Sequence, residues 1–199
     1  IAPSTSGNVL TSDGTDWTSA AAGGGGSWNI IGTAVASNSA SLTITGLSST
    51  YDTYVMAISD FVPATDTRKV HMRFGDSSGI DSGGADYEFH LQYWHTNNSG
   101  YAGQVSTGEG EMKISSTVGN DSSEGYGGMI YLHRPGDGTT FPRFTGHYCY
   151  RTNDSTAQTQ GGMMIGARKA VIVLDRAQIF FESGNITSGR FTVWGIAHA

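Results

Sequence analysis

Tyr87-Glu88-Phe89-His90-Leu91-Gln92-Tyr93 alternates apolar and polar residues without a break. That period of two sets Tyr87, Phe89, Leu91 and Tyr93 on one face of a β-strand and the polar residues on the other, giving one core face and one wet face. A neighbouring stretch, Lys69-Val70-His71-Met72-Arg73-Phe74, repeats the pattern. Further out, comparable runs occur at about 28–36, 40–46, 51–60, 109–116, 126–133, 143–150, 159–166, 170–174, 177–182 and 189–197, divided by clusters of Gly, Ser, Asn and Asp. Many short strands punctuated by turn residues predict an all-β fold, an antiparallel β-sandwich of jelly-roll type. No segment of helical length keeps apolar residues at i, i+3, i+4 and i+7, so very little helix is expected.

Composition agrees with a β-rich chain. Charged residues make up 14% of the 199, against roughly 25% in ordinary soluble domains. Lysine occurs only at 69, 113 and 169, while there are 29 glycines and 45 Ser plus Thr. So little charge implies that much of the surface faces copies of the same chain. A net charge of −6 leaves no basic face for a phosphate backbone, so nucleic acid is excluded as a partner. No apolar stretch approaches the ~18 residues of a membrane span, and no basic and apolar leader is present, so neither membrane insertion nor a signal peptide is expected. A chain that starts at Ile1 reads as a piece of a longer polypeptide. Cys149 is the single cysteine, which excludes an intrachain disulfide and Cys-based zinc sites; set between Tyr148 and Tyr150, it reads as a buried thiol.

Residues 1–27 differ from the rest. Ala20-Ala21-Ala22-Gly23-Gly24-Gly25-Gly26 reads as a flexible linker, and Val9-Leu10-Thr11 followed by Asp13-Gly14 and Trp17 reads as half of a hairpin. Such an element cannot bury its own apolar residues. Residues 1–27 are therefore an extended arm or stalk connector and 28–199 the head, with Leu10, Trp17 and Trp28 as the residues that partner chains would cover.

The chemistry-bearing residues form no established catalytic or cofactor pattern. Asp76, Asp81 and Asp86 crowd a Gly-rich loop, yet position 12 counted from Asp76 is Tyr87 rather than a bidentate Glu, so loop-shaping turns are favoured over a metal. None of the six histidines belongs to HExxH; His71 and His90 would form a zinc site only if their strands were neighbours. Glu88, Glu109, Glu111, Asp121, Glu124 and Asp137 offer carboxylates without singling out the pair a glycosidase requires. GxSxG, GxxxxGK[ST] and a strand-to-helix GxGxxG are all absent, so no enzyme and no cofactor is indicated.

Aromatic residues say more. Trp94 falls opposite the Tyr87-to-Tyr93 stripe and needs an environment of its own: a subunit interface, a second core layer or a sugar-stacking surface. Long loops at Gly75–Gly84, Thr96–Gly108, Thr117–Gly128 and Arg134–Phe141 are where recognition residues would sit. The candidate receptor-binding set is Trp94, His95, Asn97, Asn98, Tyr101 and Tyr126.

Gly7-Asn8-Val9-Leu10-Thr11-Ser12-Asp13-Gly14-Thr15-Asp16-Trp17-Thr18-Ser19 resembles a segment of bacteriophage tail-fibre and related virion appendage proteins. Leu47-Ser48-Ser49-Thr50-Tyr51-Asp52-Thr53-Tyr54, the loop from Gly75 to Gly83 and the ending Ile186 to Ile196 extend that resemblance over most of the chain. It implies a homotrimer on the virion, in contact with other virion proteins, whose arm leads into a stalk. Its β-sandwich head would bind a host cell-surface glycan such as lipopolysaccharide. The alternatives are a structural virion protein, either a capsid decoration or a fibre-joint protein, and a glycan depolymerase.

Overall fold

In the computed structural model, residues 8–12, 14–21, 27–96, 101–152 and 158–197 are described. Among them there is no helix. Asn8–Ser12 (β1) and Trp17–Ala21 (β2) form a two-stranded hairpin that pairs with no other strand. Leu10 and Trp17 lie on one face of it, more than half exposed.

The body is an antiparallel β-sandwich. The larger sheet has eight strands in the order Trp28–Val35 (β3), Ile186–Ile196 (β15), Thr53–Pro63 (β5), Gly125–His133 (β11), Arg143–Arg151 (β12), Thr159–Arg168 (β13), Tyr87–His95 (β8) and Tyr101–Glu109 (β9). The smaller sheet runs Met112–Val118 (β10), Arg68–Asp76 (β6), Arg176–Phe181 (β14) and Leu42–Thr45 (β4), with Gly79–Ile80 (β7) against β6. Strands from the two halves of the body pair from the outside in: β3 with β15, β4 with β14, β5 with β11, β6 with β10. The hairpin pairs β8–β9 and β12–β13 widen only the larger sheet.

Alternation dictates this packing. On β12, Phe144, Tyr148 and Tyr150 point inward while Arg143, Thr145, His147 and Cys149 point outward. Met56, Met72, Phe74, Leu91 and Met112 are fully buried between the sheets, and Phe61 stacks on Phe181 at 4.9 Å between ring centroids. Each such side chain stabilises the fold by roughly 1.5–3 kcal/mol relative to exposure. Tyr54 anchors the β4–β5 connection, its hydroxyl accepting the Ser48 N–H at 2.9 Å and donating to the Ser48 carbonyl at 3.1 Å.

Several expectations change. The 170–174 run is no strand: it crosses from the larger sheet to the smaller, with Leu174 buried and Val171 and Val173 exposed. The expected loop Thr96–Gly108 contains β9, an edge strand whose inner side carries Ala102, Gln104 and Ser106. Beyond the reach of the smaller sheet, β9 needs no apolar alternation, so its sequence did not read as a strand. Cys149 is exposed, because its tyrosine neighbours take the inward positions and parity turns it out. His71 and His90 lie on different sheets and cannot share a metal. Trp28 is the first residue of β3, its ring 5.9 Å from that of Trp194 on the body, rather than part of the arm.

Candidate functional site

Trp94 on β8 stands directly opposite Tyr101 on β9, and both rings are exposed on the outer face of the larger sheet. The same row continues across Gly161 and Cys149 to Gly127. Glycine is obligatory at 161: a Cβ there would stand 2.7 Å from the Tyr148 carbonyl oxygen. With two glycines in the row, the floor beside the aromatic pair is low. About 10 Å along it, two strand spacings from Trp94, opens a cleft of about 510 Å³ lined by Ser59, Asp60, Glu124, Arg151 and Thr159.

The cleft is built on backbone irregularity. Ile58-Ser59-Asp60-Phe61 places two polar residues in succession where alternation calls for one, and the β5–β11 and β5–β15 registers both shift there. Asp60 takes a left-handed φ of 50° and Gly125, the first residue of β11, a φ of 139°. A bulge of this kind turns a side chain out of the ladder, and strain at a non-glycine residue collects at binding sites. Asp60 is exposed. Arg151 keeps a buried Nε with no hydrogen-bond partner. Glu124 accepts the Asp121 N–H at 2.9 Å, which fixes the loop leading into β11. The site thus offers two flat aromatic faces, a carboxylate acceptor and a guanidinium donor along one rigid face, in a volume typical of ligand clefts.

The sequence-derived residues divide. Trp94 and Tyr101 meet as a pair, and with Trp94 half exposed the second-core-layer reading falls away. His95 turns to the inner face, its Nδ1 2.9 Å from Gln160 Nε2, and Gln160 is in turn bonded by the Tyr150 hydroxyl. Tyr126 borders the cleft, but its ring is 1% exposed, stacked inward on Tyr148 and Tyr150 at 5.9 and 6.4 Å. Burial drives its hydroxyl far above the ordinary tyrosine pKa, so it is a core residue rather than a receptor contact. Asn97 and Asn98 lie outside the described residues. Sequence reasoning missed Asp60 and Arg151; the doubled polar step at Ser59-Asp60 was the available signal.

The acidic loop also resolves. Arg168 sits between Asp81, at 2.7 Å, and Asp86, at 3.3 Å, with its guanidinium over the Tyr87 ring. Asp76 instead accepts the Ser78 amide and hydroxyl, which hold its carboxyl below the usual range. Two of the three carboxylates therefore clamp the loop to β13 through arginine, and the third shapes a turn.

Comparison of this chain with protein-family models, with curated proteins and with solved structures returns no match.

Proposed function

We propose that this chain is the head of a phage tail-fibre or tailspike appendage, a homotrimer on the virion that binds a host cell-surface glycan such as lipopolysaccharide. The observation that carries the reading is the Trp94–Tyr101 pair leading over a glycine-lined floor to the Asp60 and Arg151 cleft. Sugars present apolar ring faces that stack on aromatics and hydroxyls that bond carboxylate and guanidinium groups. The resemblance of residues 7–19 to fibre proteins and the lone hairpin of the arm support the setting. A jelly roll is the finer fold reading. It is supported by the strand orders β3-β15-β5-β11 and β4-β14-β6-β10, since outside-in pairing across two sheets is the arrangement common in capsid and lectin domains. Three weak sites on one trimer would combine into avidity.

The test is adsorption of the purified chain to host cells and to isolated lipopolysaccharide, in competition with virions. Trp94→Ala and Tyr101→Ala should each weaken binding about 5- to 10-fold per site. Adsorption unchanged in both variants would sink the site. A structural virion role is the second reading, favoured by the apolar outer face of the larger sheet; lost virion stability with normal adsorption would select it. The depolymerase reading would need Asp60 and Glu124 as its carboxylate pair, and release of reducing ends, abolished by Asp60→Asn, would establish it.

A further inference from the structure

We propose that the outer face of the eight-stranded sheet is buried against a second copy of this chain, the β3 edge of one copy covering the β8–β9–β13 end of the next. The inference rests on the self-assembly part of the proposed function and not on its receptor. One row of residues crosses every strand of the sheet, from Ile30 through Trp194, the covered Val55, Tyr131, Thr145, Ile165 and His90 to Val105. Its two ends are bare: Ile30 is 65% exposed, Val105 72%, Ile165 52% and Met163 in the adjoining row 59%. Monomeric proteins rarely leave apolar patches beyond a few hundred Å² open.

Charge, size and shape point to a second copy. Among the described residues, the outward carboxylates of this sheet are Glu88 near one end of its strands and Asp60 in the bulge near the other. The rows between carry no Asp, Glu, Lys or Arg, so in a chain of net charge −6 this is the face that meets its own copy without repulsion. Eight strands at ~4.8 Å spacing and the two uncharged rows at ~6.8 Å span roughly 500 Å², so two copies face to face would bury about 1,000 Å², the lower end of specific interfaces. The two ends also differ in relief. Trp28 and Ile30 project at the β3 edge, whereas His90 and Ile165 border two shallow apolar depressions, one of about 200 Å³ with Val105 and one of about 150 Å³ with Met163. A projecting end and a hollowed end on one sheet suit a contact in which each copy uses both, which closes as a pair or a ring. Trp94 and Tyr101 lie two rows from Ile165 and stay at the rim, open to ligand.

Sedimentation of the full chain at micromolar concentration tests this. The expected mass is a multiple of 21.0 kDa, and three copies would agree with a trimer. Ile30→Glu and Ile165→Glu should each raise the dissociation constant at least about 100-fold, since a carboxylate would be buried unpaired; Thr45→Glu on the smaller sheet should leave it unchanged. Circular dichroism checks that each variant folds. In a Cys149→Ser background, Ile30→Cys with Ile165→Cys should form interchain disulfides on mild oxidation, and Thr45→Cys should not. A wild-type mass of 21.0 kDa, a multimer surviving both glutamates, or equal cross-linking through Thr45→Cys overturns the proposal. Lipopolysaccharide binding is read separately: an Ile165→Glu monomer that still binds sugar sustains both readings, and an intact multimer that binds none removes only the receptor.

Discussion

The two outer faces of this sandwich are made from the same alternating strands yet treat water oppositely. On the smaller sheet each outward charge is answered nearby: Lys69 by Glu182 at 3.6 Å, Lys113 by Glu109 at 3.7 Å, and Arg73 by Glu111. Phe180 lies there too, with the Arg73 guanidinium 4.7 Å above its ring and His71 against its edge. On the larger sheet the central rows hold no permanent charge, and exposed Ile30, Val105, Ile165 and Met163 stand among the polar His90, Thr145 and His147. The first face is finished within one chain. The second is left apolar and uncharged within one chain, and the proposed second copy would cover it. An alternating strand specifies which residues leave the core, not whether they end in solvent.

The largest expected effect on the stability of the single chain comes from breaking the charge-paired face. Glu111→Ala removes the acceptor of Arg73 and the carboxylate beside His71 and should cost about 2 kcal/mol in urea unfolding; a loss under about 0.5 kcal/mol would mean solvent already screens the group. Next is a pH effect on the same face. His71 is 3% exposed, and burial lowers its pKa below 6.5, while Glu111, 3.2 Å away but out of line for a hydrogen bond, and Glu182 act to raise it and Lys113 and Lys69 to lower it further. The unfolded chain therefore takes up the proton first as pH falls. This contribution is fully present above about pH 6.5 and declines below it, and His71→Gln should flatten that acid limb relative to wild type. An unchanged limb would assign the acid sensitivity to carboxylates.

On the outer face of the larger sheet the ordering reverses. Ile165→Ser should leave the stability of the single chain within about 0.5 kcal/mol, measured at dilutions where copies separate, while lowering the assembled mass. A full kcal/mol lost from the single chain would mean that Ile165 packs within its own fold. The smallest effect is a rate. The exposed Cys149 thiol should react with a thiol reagent without denaturant, more slowly when lipopolysaccharide fills the adjoining cleft. Equal rates with and without sugar would separate the cleft from recognition.

Period-two alternation in Tyr87–Tyr93 and Val70–Phe74 made the strands, the core face and the absence of helix in the described residues legible, because those depend on neighbours two positions apart. It also marked Trp94 and Tyr101 as outward or loop residues. It could not show that they stand opposite one another, since the hairpin register between them is set by the whole sheet. His95 and Tyr126 were misjudged for a related reason: one step of parity decides which face a ring takes, and that parity is fixed by partner strands far away in sequence. Asp81, Asp86 and Arg168 form a clamp across more than eighty residues of chain, a pairing local spacing does not encode. The cleft depends most fully on tertiary structure. It exists because a bulge in β5 faces Gly127 in β11, which pairs in turn with the end of β12 that carries Arg151, and only long-range strand pairing brings those three segments together.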